Sequence, residues 1–318
     1  MAIQSNLKQR LERQKKMFDV LVRAGCFVAI IILGYVLRKI NFFKEEDFSV
    51  LSKIVLRITL PAAIVTSFAG KKIDLPMLLL SLMGIGIGVI YILLAFVLNR
   101  RKSKEDTIFD VVNMSGYNIG AFTMPFVQNF LGPVGVISTS LFDVGNAFVC
   151  LGGSHGIGII LKQGGKLSFK KIVKNLMKSV AFDTYIVMLL VNMANITLPS
   201  PILSFAQIVG NANAFVAMLM IGVGFKISGD KEKIGRIVQT LCVRYGVGLI
   251  FALICFFLLP FPREVKVALM ILAFSPFPSS SPAYTDDLKG DVGLSSALNS
   301  ISIVCSITFI VVILMVML

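Results

Sequence analysis

A chain of 318 residues that is 56% hydrophobic and 15% charged, with mean hydropathy +0.86, is too apolar for a soluble globular protein. Its net charge of +14 would suggest nucleic acid in a soluble protein. Here Lys and Arg gather in short loops between apolar runs, the pattern that orients membrane spans, and no nucleic-acid partner is expected. Five cysteines in apolar segments without CxxC spacing, and a single histidine, argue against metal, cofactor and enzyme chemistry.

Residues 1–18 form a basic amphipathic extension. The first apolar run starts near Phe18, outlasts a secretory signal and has no small-residue cleavage site. Crossing ~30 Å of hydrocarbon takes about 20 apolar residues. On that basis ten spans are predicted: 19–40, 48–69, 76–98, 107–130, 134–161, 179–198, 204–227, 237–259, 264–287 and 292–317. The connection 162–178 reads as a short basic helix along the interface. It divides a first five-helix repeat, 19–161, from a second, 179–318. GIGIG at 84–88 lies inside span three with no strand before it, so Gly84 and Gly88 read as a packing face.

Spans four and nine are interrupted. VVNMSGYNIGAFTMPFVQNFLGPVG carries Gly116, Asn118, Gly120 and Pro125. About 158 residues later, LMILAFSPFPSSSPAYTDDLKGDVG carries Pro276, Pro278, Ser279, Ser280, Ser281 and Pro282. Unwound backbone survives at membrane depth only where protein or a water-filled cavity satisfies it, and paired breaks in two halves point to a transporter binding site. The halves also share sequence: GIGVIYILLAFVL (86–98) matches GVGLIFALICFFL (246–258), and GPVGVIST (132–139) matches GDVGLSSA (290–297). Repeats of five spans must enter the membrane from opposite sides. The expected fold is all-α and polytopic, ten transmembrane helices in two inverted five-helix repeats. Residues 118–125 and 276–282 are expected to be non-helical and to meet near the midplane.

Half-helix N-termini carry partial positive charge and free N–H donors, so a carboxylate is a natural ligand. Asn118 can add an amide donor, and Ser279, Ser280 and Ser281 hydroxyls. Alternatively these groups only satisfy backbone across the crossover. Gly120, Pro125, Pro276, Pro278 and Pro282 complete the expected site as shape-setters. Asp143 and Asn146 share a face of span five and form, with Asn118, a candidate ion or proton site; a neutral hydrogen-bonded Asp is the other reading. Asp110, Asn113 and Tyr117 share a face of span four, which makes Asp110 and Asn113 further ion- or proton-coupling candidates; alternatively Asp110 sits at the interface near Arg100 and Arg101. Asp183 and Arg244 are expected near span ends, snorkelling. Asp286 and Asp287 are expected to be solvated, and His155 either relays protons or is incidental.

The pattern N-x-G-x4-P (Asn118, Gly120, Pro125) followed by LGPVG, ITLPAAIVTSF with Pro61, MLMIGVGFKI with Gly222 and Gly224, and the opening GYVLRKINFFKEED resemble the auxin efflux carrier family. The lack of a long central hydrophilic loop is similar to its short bacterial members. The resemblance implies a carrier of small organic anions working as an elevator. Spans one, two, six and seven would form a scaffold and homodimer contact, and spans three to five and eight to ten would move. A channel or a non-transporting sensor on the same fold is the alternative. Basic residues place the 162–178 connection in the cytoplasm and both termini outside, in the cell membrane; the coupling ion would be a proton or sodium.

Overall fold

The computed structural model describes residues 2–44, 46–71, 75–225 and 233–317, with side chains described from residue 14 onward except that of Lys16. Most of the basic loop after span seven, and most charged side chains of the extension, lie outside the described residues. Among the described residues all regular structure is helical.

Seven helices are long and apolar enough to cross a membrane, or eight if one bent pair counts as a span. They coincide with predicted spans one, two, three, five, seven, eight and ten. In chain order the helices are α1 (Ala2–Lys39), α2 (Asp47–Phe68), α3 (Leu79–Leu98), α4 (Lys104–Met114), α5 (Met124–Phe130), α6 (Gly132–Gln163), α7 (Phe169–Leu176), α8 (Val180–Met193), α9 (Ser200–Gly224), α10 (Ile234–Phe257), α11 (Arg263–Ala273), α12 (Ser281–Asp287) and α13 (Val292–Met317). The basic connection does contain a short amphipathic helix, α7. It buries Ile172 and Leu176, leaves its lysines outward, and meets α8 at 86°.

Predicted span four, which is not among those seven, corresponds to α4 and α5 joined by a break at 115–118 and a wide π-helical turn, Ile119–Thr123. Span nine is α11 and α12 joined by a break at 274–280. The breaks therefore start earlier than expected, and the stretch 119–125 is helical. The reason is where the prolines fall. Pro282 sits in the first turn of the half-helix it opens, where a missing N–H costs nothing, while Pro125 follows the wide turn Ile119–Thr123, which spares its ring a clash. A similar wide turn, Val55–Thr59, precedes Pro61 in α2 and spares that ring a clash with the preceding turn.

Packing sorts the helices into two groups. In one, α1 lies along the second half of α9, and α2 packs on α9 and α8. In the other, α3 packs on α6, α4 on α3 and the end of α6, α11 on α6 and α10, and α12 on α13 and α4. The groups meet where α2 faces α6, α1 faces α13, and α9 faces α5. The glycine face of span three is real: a Cβ on Gly84 would overlap the carbonyl of Phe142, and one on Gly145 the carbonyl of Ser81. Ser81 Oγ donates to Leu141 O across this seam at 2.6 Å. α6 is the most enclosed long helix, with 72% of its apolar window inside, so its polar residues can reach the centre of the molecule.

Candidate substrate and ion site at the crossing breaks

The two breaks touch. The Asn118 N–H donates to Pro276 O at 3.0 Å, and the hydroxyls of Thr123 and Ser275 share a hydrogen bond at 2.6 Å. Gly116 makes the approach possible, since a Cβ there would overlap Cys150 Sγ and press on the Pro278 ring. Unwound backbone in an apolar interior must be paired. The helix after each break supplies the partners. From α6, Asn146 Oδ1 accepts the Tyr117 N–H at 3.0 Å, while its Nδ2 donates to Tyr117 O at 3.1 Å. From α13, Asn299 Nδ2 donates to Pro278 O at 2.9 Å, and Ser302 Oγ accepts the Phe277 N–H at 3.2 Å.

The residue that holds both breaks is Arg244 of α10, and it is not near a span end. Its side chain is fully buried. Nη1 donates to Met114 O at 2.8 Å, and Nη2 to Gly116 O at 2.7 Å and Ser275 O at 3.2 Å. The guanidinium lies 3.8 Å from the centre of the Tyr117 ring, 4.7 Å from that of Tyr91 and 5.2 Å from that of Phe277. The snorkelling expectation fails because α4 and α11 end here. The last carbonyl of α4, Met114 O, and the unwound carbonyls just beyond α4 and α11 offer the cation an alternative to water. Sequence reasoning singled out this residue but missed its role; the available signal was a charge seven residues inside a predicted span. Asp183 does sit near an end, in the first turn of α8, with one carboxylate oxygen buried.

Two cavities flank the crossing. One, of about 300 Å³, is lined by Asn118, Ser279, Pro282, Asn299, Ser300 and Arg38, among others. The other, of about 190 Å³, is lined by Asn118, Gly120, Asp143, Asn146, Tyr185, Ser279 and Ser280 in part. Asn118 and Ser279 face both. Asn118 is 7% exposed, and among the described residues its side-chain amide has no hydrogen-bond partner. Ser281, by contrast, turns away and donates to Val112 O at 3.2 Å. Pro125 and Pro276 are buried and line neither cavity.

Asp143 and Asn146 do share a face: Nδ2 of Asn146 donates to Asp143 Oδ1 at 2.9 Å. The other carboxylate oxygen accepts the Tyr185 hydroxyl at 3.0 Å, so Asp143 on α6 is tied to α8 of the other helix group. Asp110 and Asn113 belong elsewhere. Asp110 accepts from Asn99 at 2.6 Å and pairs with Arg236 at 2.8 Å, rather than with Arg100 or Arg101. Asn113 bonds Thr285 at 3.1 Å and Ser295 at 2.5 Å, stitching span four to spans nine and ten. Tyr117 does not continue their face, because α4 stops at Met114. His155 pairs with Asp287 at 2.7 Å and stacks on Tyr284, away from the crossing; Asp287 is largely exposed as expected.

Residues 26–174 match the family model described as membrane transport protein, and residues 214–318 match that of the sodium bile acid symporter family. No curated protein matches the chain. Both families are membrane transporters, and the two matches cover much of each half of a multi-pass helical protein. The resemblance to the auxin efflux carrier family therefore holds, and the chain is consistent with a member of it.

Proposed function

We propose that this membrane transporter is a secondary carrier of small organic anions, with a substrate carboxylate held where the broken helices cross. The observation that carries the reading is the Asn118 amide: it belongs to a buried residue, has no hydrogen-bond partner among the described residues, and opens onto both cavities beside Ser279. A polar side chain enclosed in an apolar interior needs a partner, and here a ligand in the cavity can supply it. The start of the half-helix after Asn118 adds positive potential.

The ten spans are read as two inverted repeats, supported by the matched breaks and by the way each is propped from the following helix. Transport is read as an elevator. α1, α2, α8 and α9 serve as scaffold and homodimer contact, the remaining spans move, and the packing into two groups supports this division. Asp143 is the coupling candidate. Its carboxylate links the groups through Tyr185, so a proton or sodium ion bound there would alter that link. Orientation rests on the basic loops, which favour a cytoplasmic 162–178 connection and outside termini in the cell membrane.

The test is a thermal-shift screen of the purified protein against mono- and dicarboxylates, across pH and with or without sodium, followed by uptake into vesicles. A ligand stabilises in proportion to RT ln(1 + [L]/Kd). Saturable uptake that responds to counter-substrate supports a carrier. Conductance rising linearly with concentration would mean a channel, and binding without flux a sensor.

A further inference from the structure

Arg244 is a fully buried cation, and among the described residues it has no carboxylate partner. A guanidinium in an apolar interior is costly unless its surroundings replace water. What replaces water here is a set of backbone oxygens from both breaks. Met114 is the last residue of α4 and Gly116 lies in the first break, while Ser275 and Pro276 lie in the second. All four carbonyls accept from it, that of Pro276 at the 3.5 Å limit. Three aromatic faces flank the guanidinium, and among the described residues Nε alone of its nitrogens lacks a hydrogen-bond partner. Helix C-termini and unwound carbonyls are what hold coupling cations in carriers with broken helices. The shell around Arg244 has that chemistry, and a side chain already fills it.

We propose that Arg244 is a resident cation: it occupies a carbonyl cage shared by the two breaks and gives the crossing a permanent positive charge. An anion can then bind beside it with no alkali-metal ion in the cage. The last step rests on the anion-carrier reading; the cage does not. The charge sits one group away from the open site, because Pro276 O accepts from both Arg244 Nη2 and the Asn118 N–H. In a low-dielectric interior an unpaired charge at that range is strongly felt. A substrate carboxylate would be its missing counter-charge.

The test uses the full-length protein in lipid nanodiscs, in choline, sodium or potassium chloride at equal ionic strength, with benzoate and succinate as anion probes. Wild-type affinity for a binding probe is expected to agree within about twofold across the three salts, or to show a sodium gain that Asp143→Asn abolishes, whereas a tenfold or larger gain in sodium that persists in Asp143→Asn overturns the proposal. Arg244→Gln and Arg244→Ala are expected to lose thermal stability and to regain part of it with millimolar sodium or methylguanidinium, to which wild type does not respond. Their anion affinity in choline should fall about tenfold or more, the loss expected when a charged donor is removed. Neutral variants that ignore added cations, or that bind the probes as wild type does in choline, overturn the proposal. If the neutral variants do not fold, Arg244→Lys decides alongside the wild-type salt comparison. Salt-independent binding in the lysine variant supports a resident charge, and sodium dependence there overturns it. Wild type that binds no carboxylate in any salt would refute the carrier reading, and the cage would then stand or fall on the cation response of the neutral variants.

Discussion

The two breaks solve the same problem with different residues. Each interrupts a span, each places an aromatic ring on Arg244 (Tyr117 and Phe277), and each is propped by an amide from the following helix. Asn146 pairs with both the N–H and the carbonyl of Tyr117. Asn299 reaches carbonyls only, and a serine takes the Phe277 N–H. Beyond the props the breaks diverge. The first offers a free amide and leads through Asn146 to Asp143; the second offers serines and prolines. What is shared holds shape. What differs is where one half can bind or couple in a way the other cannot.

The largest effect should come from the first prop. Asn146→Leu would leave the buried N–H of Tyr117 unpaired and its carbonyl with only the Cys150 thiol at 3.9 Å, at about 1–3 kcal/mol each. A loss of about 2–5 kcal/mol is expected in reversible unfolding, larger than that of Asn299→Leu, after which Pro278 O still accepts the Ser281 N–H at 3.1 Å and only Phe277 O loses its partner. Equal losses would make the breaks interchangeable. Next is the amide. Asn118→Ala should weaken carboxylate binding roughly ten- to a hundred-fold, corresponding to about 1.5–3 kcal/mol for a hydrogen bond to a charged group. The fold should survive, because the Asn118 backbone rather than its side chain makes the contact with Pro276. Wild-type affinity in the folded variant would move the anion to the serines of the second break.

Asp143→Asn should abolish the pH or sodium dependence of transport while expression stays intact. An unchanged profile would reduce Asp143 to a partner of Tyr185 and Asn146. Smallest is His155→Ala, outside both breaks, where the partner Asp287 is 64% exposed. An exposed pair contributes little, so stability should change by less than about 1 kcal/mol and transport not at all.

Much of this was legible in the sequence, for identifiable reasons. Apolar length gave seven of the ten predicted spans, and glycine spacing gave the packing face of span three, though not its partner. Proline and glycine clusters located both breaks. Their limits slipped by a few residues because proline is tolerated in a first turn or after a wide one, so Pro282 marks where helix resumes and Pro125 lies in helix that has already resumed at Ile119. Asp143 and Asn146 could be paired from i,i+3 spacing alone. Arg244 could not be understood that way. Its partners are backbone carbonyls, which every residue has, and they converge only once two segments far apart in sequence have crossed. Asp110 was misjudged for a related reason: its partner Arg236 lies on α10, remote in sequence.

The glycine contacts carry a mechanical consequence. Glycine brings backbones together between α1 and α9 (Gly34, Gly222), α9 and α2 (Gly210), α3 and α6 (Gly84, Gly145), α3 and the first break (Gly88), α10 and α11 (Gly248), and α6 and the interfacial α7 (Gly152). Apart from the last, each of these joins elements of the same group. At the boundary, Gly120 instead faces the methyl groups of Leu60 and Leu56 on α2. Interlocked main chains resist shear, because any slip drives rigid carbonyls into one another. Leucine ends can change rotamer and re-seat at modest cost. The molecule is thus keyed along its internal joints and greased along one surface, and a lateral load would be relieved on that surface first.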